Sequence, residues 1–326
     1  MGMAKTGVKK MPTEYITHSS KSEWLADRAK DVTSTETAAL FGMSPYSTEV
    51  ELFHRKLTGD VVEIKDNPRM MAGRCLEPGI ANMASEVLGC EVSPFKVYAR
   101  DPDLRIGSSF DYEIASGEHK GWILEIKNVD YSIYRDEWTE NEAPDHIEIQ
   151  VAHQLELTQR AGAVIAVLVA GNDLRFITRE RNAKMGAGIR ARIAQFWADV
   201  AAKHAPEIDF SDKKTADFII KRNRGSGDSV IQADDQVAAL LRDYKQSKQA
   251  EESFAKVAKA KKAEVLELIG KDVGKVLCGN LTLACKDIAD APAKTIMITE
   301  DMVGKPYETY AGRSGYRNFK VTEKKS

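Results

Sequence analysis

Between Arg105 and Val129, apolar and polar residues alternate on both sides of one glycine-bounded turn, Gly117-Glu118-His119-Lys120-Gly121. A period of two is the signature of strands, and two such runs joined by a short glycine-containing loop predict a β-hairpin. In Arg105–Ala115, Ile106, Ser108, Phe110, Tyr112 and Ile114 share one face, leaving Ser109, Asp111 and Glu113 on the other. In Trp122–Val129, Trp122, Leu124 and Ile126 share a face, and Ile123, Glu125 and Lys127 lie opposite. The hairpin therefore has an apolar side to bury and a side that carries charge.

Helical patterns flank it. Trp24 to Leu40 reads as helical with a turn around Lys30–Ser34; Thr33 and Glu36 have capping-box spacing, and Gly42 marks a stop. Thr48 with Glu51 opens a second helix that ends near Gly59. A third spans Pro68–Leu88, with Met71, Cys75, Leu76, Ile80, Met83 and Val87 as its apolar stripe and Pro78 inside it. Phe95–Ala99 is a candidate strand. After an acidic loop, the pattern predicts a helix over Asp145–Arg160, a buried strand over Ala163–Ala170, a neighbouring strand over Leu174–Thr178, and a helix with Ile189, Ile193, Phe196 and Trp197 on one side. This order predicts a mixed α/β sheet flanked by helices. Residues 1–20 read as a flexible polar arm, 21–204 as the main domain, 205–229 as a basic linker containing Lys213, Lys214, Lys221, Arg222 and Arg224 before Gly225-Ser226-Gly227, and 230–326 as an accessory domain. In the last, Gln232–Ile269 is a long charged helical stretch, continuous or folded into a hairpin, and the rest is a small β unit ending in Tyr316–Val321.

A chain of 326 residues with net charge −2 is not a polybasic protein, but a nucleic-acid enzyme can confine its positive charge to a groove. Four dispersed cysteines without C-x-x-C argue for reduced thiols and against a zinc or iron–sulfur site. There is no apolar h-region in the first twenty residues and no run of membrane-spanning length, so the expectation is a cytoplasmic protein with no membrane partner.

Asp111, Glu125 and Lys127 can project into one space on a hairpin of this register. Two nearby carboxylates repel, and a divalent cation between them relieves the repulsion. A lysine two residues after the glutamate stands about 7 Å further along the same face, where it can orient water or neutralise a phosphate. Phosphodiester hydrolysis needs this combination. Glu77, on the third helix, is a candidate third carboxylate. A solvated ladder of acidic and basic residues would present the same pattern, and spacing alone leaves both readings open.

The stretch Trp24 to Val200 resembles the YqaJ-type viral recombinase family, relatives of phage lambda exonuclease within the PD-(D/E)XK nuclease superfamily. The resemblance lies in an ordered set of motifs: Arg28-Ala-Lys-Asp-Val-Thr-Ser-Thr35, Leu40-Phe-Gly-Met-Ser-Pro-Tyr46, Gly73-Arg-Cys-Leu-Glu-Pro78, Ser108-Ser-Phe-Asp111, Leu124-Glu-Ile-Lys127, Gln150-Val-Ala-His-Gln-Leu155 and Phe196-Trp197. It implies a restriction-endonuclease-like fold with a helical and small β C-terminal extension. It further implies Mg²⁺, with Mn²⁺ as a substitute, held by Asp111, Glu125 and the Ile126 carbonyl. Glu77 would lie near a second ion, Lys127 would be catalytic and Gln150 would support the site. Gln154, one turn further on, is a possible additional support.

Arg28 with Thr33, Ser34 or Thr35 resembles a pocket for a terminal 5′-phosphate. A guanidinium beside hydroxyls and free N–H groups at a helix start is an anion site on physical grounds too; a surface arginine next to a capping threonine is the plainer reading. This sequence has Asp31 where glycine is common, which places a carboxylate next to that pocket, and Phe110 where proline is common. The implied activity is a metal-dependent 5′-to-3′ exonuclease on double-stranded DNA ends that leaves mononucleotides and a 3′ overhang. The implied partners are two further copies in a homotrimer and a RecT-type single-strand annealing protein. The competing readings are an endonuclease or other-polarity nuclease on the same fold, and a non-catalytic DNA-binding or assembly protein. His153 reads as a packing residue, Phe196-Trp197 as core, and Tyr46 as either a base-stacking or a loop-closing residue.

Overall fold

A computed structural model describes residues 13–61, 67–224, 230–288, 316–317 and 320–323. The chain divides into two units, residues 1–226 and 227–326.

The first unit begins with strand β1 (Glu14–Ile16), helix α1 (Lys21–Lys30), strand β2 (Val32–Thr33) and the short helix α2 (Ser34–Thr37), which continues as a 3₁₀ turn to Phe41. Helices α3 (Glu49–Thr58) and α4 (Pro68–Leu88) follow. Next come strands β3 (Val92–Pro94), β4 (Tyr98–Asp101), β5 (Ile106–Ser109), β6 (Tyr112–Ile114) and β7 (Ile123–Val129). Helices α5 (Tyr131–Glu137) and α6 (Asp145–Thr158), strands β8 (Gly162–Val169) and β9 (Asp173–Glu180), and helices α7 (Ala183–Ala202) and α8 (Lys213–Arg222) complete it.

The helix boundaries follow from side-chain caps. Ser20, Thr48 and Asn67 each accept a backbone N–H from the first turn, and Gly42, Gly59 and Gly89 close their helices in the left-handed conformation that glycine adopts without strain. The central sheet runs β3-β6-β7-β8-β9, antiparallel except for the parallel β7–β8 pair. Strand β8 is buried along its whole length, so its alternate residues feed two cores. Ala163, Ile165, Val167 and Val169 meet Val151 and Leu155 of α6 and Ile189, Ile193 and Phe196 of α7. Val164, Ala166 and Leu168 join Leu124, Ile126 and Ile80 of α4 on the opposite face. A smaller sheet, β1-β4-β5-β2, lies beside it.

Five expectations are corrected. The predicted arm contains β1, which pairs with β4 through Tyr15↔Ala99; residues 1–12 lie outside the described residues. The strand over Arg105–Ala115 is two strands in different sheets, because the chain breaks at Phe110–Asp111 and the Asp111 Oδ2 takes up the Ile126 N–H (2.8 Å). The acidic loop holds α5, secured by Tyr134 and Trp138, which stack one turn apart with ring centroids 5.9 Å apart. Of the α4 stripe only Ile80 is buried; Met71, Cys75, Leu76, Met83 and Val87 face outward. Small residues decide that orientation, since Ala81 and Ala84 let the helix approach the sheet closely.

The fifth correction concerns the basic linker. Lys213–Arg222 is helix α8, held to α3 by Phe218 stacked on His54 (5.8 Å) and by Arg222 bonded to the same imidazole; Gly225-Ser226-Gly227 lies outside the described residues. In the second unit, α9 (Asp235–Ile269) is one continuous helix of 35 residues with none buried. Strands β10 (Lys275–Cys278), β11 (Leu281–Ala284), β12 (Asp287–Ile288), β13 (Tyr316–Arg317) and β14 (Lys320–Glu323) follow, paired as β10-β11-β14 and β12-β13. Among the described residues, no helix is long and apolar enough to cross a membrane.

Candidate active site

Strand β7 alternates between the two cores. Leu124 and Ile126 turn toward α4, which leaves Glu125 and Lys127 on the face that meets α6. The β6–β7 register pairs Tyr112 with Leu124 and Glu113 with Ile123, so Asp111 stands just past the end of the ladder, beside Ile126. Asp111, Glu125, Ile126 and Lys127 open into a cleft of about 290 Å³ that is also lined by Arg28, Ser34, Thr35, Gly73, Glu77, Ser109, Asn128 and Gln150.

Glu125 is 2% exposed and held at both oxygens. Its Oε1 accepts from Lys127 Nζ (2.5 Å) and Gln150 Nε2 (2.6 Å), and its Oε2 accepts from Gln154 Nε2 (2.9 Å). Lys127 Nζ also donates to Gln150 Oε1 (3.3 Å). Glutamines at i and i+4 of one helix face thus grip the carboxylate from above while the lysine grips it from the side.

The electrostatics are those of crowded carboxylates. Burial, then the charge of Glu125, pushes the Asp111 carboxyl up to about 8, against the pull of Lys127 and the Ile126 N–H. Burial and then Glu125 also raise Glu77. Burial works to depress the Lys127 ammonium, but Glu125, Asp111 and the hydrogen bond to Glu125 together hold it above its usual range. Lys127 is therefore a cation here, suited to holding negative charge in the cleft. Among the described residues, no three Asp, Glu, His or Cys side chains converge closely enough to form a metal cage by themselves. What the residues do offer is a set of hard oxygen donors whose mutual repulsion a divalent cation would relieve.

At the other end of the cleft, Arg28 lies over the Trp24 ring (4.6 Å) and points Nη2 at Thr35 Oγ1 (3.5 Å). The Trp24 indole N–H donates to Ser109 Oγ (2.9 Å), which ties this end to the strand leading to Asp111. Ser34 Oγ accepts from Ser108 Oγ (2.8 Å). Of the predicted hydroxyls, Ser34 and Thr35 line the cleft; Thr33 is fully buried and its N–H is capped by Glu36 (2.9 Å). Asp31 does not face this pocket. It is fully buried with Oδ1 on Arg100 (2.8 Å) and Oδ2 accepting from Tyr98 Oη (3.1 Å), so its charge is met on the far side of the chain.

Ser109, Asn128 and Gly73 escaped the reading of single residues, although the first and last stand inside quoted motifs and Asn128 follows Lys127 directly. His153 is a packing residue. It is fully buried, its Nε2–H donates to the Gly107 carbonyl (3.0 Å), and its Nδ1 accepts from Thr37 Oγ1 (2.7 Å). Tyr46 is 80% exposed and meets His146 edge-on.

A buried hairpin carrying two carboxylates and a lysine, braced by glutamines from α6, places the first unit among mixed α/β proteins built around an acidic cleft. By comparison, this chain matches the YqaJ-like viral recombinase domain over residues 23–161. It is 29% identical over 197 residues to the uncharacterized protein YqaJ of Bacillus subtilis (strain 168), a match spanning 59% of this chain and 60% of that relative. Among solved structures it is similar to an alkaline exonuclease (LHK-Exo) from Laribacter hongkongensis, with a TM-score of 0.47 at 22% identity over 56% of this chain and 93% of that one. A phage related exonuclease from Haemophilus somnus 129PT matches with a TM-score of 0.36 at 12% identity over 58% of this chain and 91% of that one.

Proposed function

We propose that this chain is a divalent-cation-dependent deoxyribonuclease that digests one strand of duplex DNA 5′-to-3′ from an end, giving mononucleotides and a 3′ single-stranded overhang for recombination. One observation carries the reading: Arg28 and Thr35 open into the same cleft as Asp111, Glu125 and Lys127. A terminal phosphate is what distinguishes an end from an internal site, and a guanidinium beside a hydroxyl suits it. The viral recombinase domain over residues 23–161 supports the recombination context.

Asp111 and Glu125, with Glu77 and the Ile126 carbonyl alongside, would hold the cation, whose bound form supplies Lewis acidity and a nucleophile at neutral pH. Lys127 would carry its charge to the scissile phosphate and stabilise negative charge as it develops there. Gln150 and Gln154 would keep Glu125 in one orientation, and Arg28 with Thr35 and Ser34 would hold the terminal phosphate so that one bond is presented.

The test offers 5′-phosphorylated linear, 5′-hydroxyl linear and covalently closed circular duplexes, with Mg²⁺ and with chelator. Mg²⁺-dependent loss of the linear substrates, fastest for the phosphorylated one, is the expected result. Cutting of the circle would replace the exonuclease by an endonuclease, and binding without cleavage in any metal would leave a DNA-binding protein.

A further inference from the structure

Beneath the Arg28–Thr35 pair lies a buried cation that none of the chemistry above uses. The Lys56 side chain, from α3, is 2% exposed. Its Nζ donates to the carbonyl oxygens of Asp31 (2.6 Å) and Arg28 (3.1 Å) and stands 3.0 Å from Glu36 Oε2. An ammonium has three donors, and here each has a partner. Two of those partners are carbonyls at the end of α1, the helix that carries Arg28; the third belongs to α2, which carries Thr35. Glu36 extends the connection by accepting the Thr33 N–H (2.9 Å) and pairing with Arg55 (2.8 Å).

The direct contact between Arg28 and Thr35 is long, 3.5 Å, so their spacing is set by the backbone under them and not by their own bond. A buried ion pair is a poor device for stability alone, because desolvation offsets its attraction and apolar residues of similar size would serve. What a three-donor cation adds is a fixed relation between the segments it joins. Lys56 and Arg55 also outnumber Glu36, which leaves excess positive charge under a pocket meant for an anion.

We infer that Lys56 is a positioning residue for the 5′-phosphate pocket, fixing Arg28 relative to Thr35 and so setting how strongly phosphorylated ends are preferred over unphosphorylated ones. This rests on the reading of Arg28 and Thr35 as the terminal-phosphate site.

The experiment measures kcat and KM on linear duplexes with 5′-phosphate and 5′-hydroxyl ends, for the full chain and its Arg28→Ala, Lys56→Met, Glu36→Gln and Arg28→Ala/Lys56→Met variants. Lys56→Met should cut the preference for phosphorylated ends about tenfold, mainly through KM, as expected when a binding pair is displaced by a fraction of an ångström. Glu36→Gln, which keeps the Thr33 N–H acceptor and the volume, should shift it the same way by less, and it decides the matter if Lys56→Met does not fold. The double variant should lose no more preference than Arg28→Ala. If Arg28→Ala abolishes the preference while Lys56→Met and Glu36→Gln keep it, or slow both substrates equally, the positioning role is wrong. If the unmodified protein shows no preference, the terminal-phosphate reading fails and takes this inference with it.

Discussion

At the scale of single residues, the site is an exercise in keeping one carboxylate still. Glu125 is buried, and each of its oxygens is occupied by a neutral amide or by Lys127. Removing Lys127 leaves the two glutamines in place, so Lys127→Ala should preserve the far-UV circular dichroism and duplex affinity while lowering cleavage by about a hundredfold or more. Activity retained at a tenth of the original or better would remove Lys127 from the chemistry. Gln154 behaves differently. It is fully buried and supplies the hydrogen bond to Glu125 Oε2, so Gln154→Leu should cost about 2 kcal/mol in urea unfolding, the range for a buried bond to a charged group. It should also slow cleavage, because Glu125 gains freedom to turn. An unchanged unfolding midpoint would mean that Gln154 does not hold the carboxylate in solution.

At the scale of elements, α6 joins the two parts of the site. Its Gln150 and Gln154 brace Glu125, and His153 between them anchors it to α2 through Thr37 and to β5 through the Gly107 carbonyl. Gly107 is required there, since a Cβ at that position would lie 2.0 Å from Tyr98 Oη. Burial depresses the His153 imidazole to about 3. The folded pKa lies below the unfolded value of roughly 6.5, so as pH falls the unfolded state takes up the proton first. The stabilising contribution of neutral His153 is fully present above about pH 6.5 and is lost progressively toward pH 3, at up to about 1.4 kcal/mol per pH unit. The unfolding free energy, followed in denaturant from pH 7 to pH 4, should fall more steeply for the natural chain than for His153→Gln. Parallel slopes would mean that His153 is not buried neutral.

The same elements show what could be read from sequence. The Thr33–Glu36 box, the Thr48–Gly59 helix, the Pro68–Leu88 boundaries and the Gly117–Gly121 turn depend on neighbours a few residues away, and all were legible. The alternation of the hairpin groups Asp111, Glu125 and Lys127, whereas Gln150 enters only through the resemblance, because its place beside Glu125 depends on how α6 packs on β7. The break between β5 and β6, the outward face of α4 and the docking of α8 depend on packing partners far along the chain. So does the Asp31–Arg100 pair, 69 residues apart, and so does Lys56, whose partners lie at the end of α1 and on α2. No local pattern marks such a lysine, because its burial is decided by what folds over it.

At the scale of the whole molecule, both cores of the first unit draw, among the described residues, on those between Val32 and Val200. In the second unit, α9 has no buried residue along its 35 positions. Helix α8 belongs with the first unit, where Thr215 is buried and Lys214 Nζ donates to the Ser44 carbonyl (2.5 Å). A chain ending at residue 226 should therefore keep the full stability of the first unit, whereas one ending at residue 204 would lack α8 and uncover His54 on α3, which Phe218 otherwise covers. Thermal unfolding of the three chains separates these cases. The 1–226 chain should unfold in one cooperative step within a few degrees of the corresponding step in the full chain, and the 1–204 chain should unfold earlier. A shift of about 5 °C corresponds to a loss of order 1–2 kcal/mol in a domain of this size, which the few contacts of α8 can account for. If 1–226 fails to fold while the full chain folds, the second unit is part of the first unit's stability after all. If 1–226 folds but no longer cleaves linear duplex, residues 227–326 serve the substrate and not the fold, and α9 with its exposed Leu240, Tyr244 and Phe254 becomes the place to look.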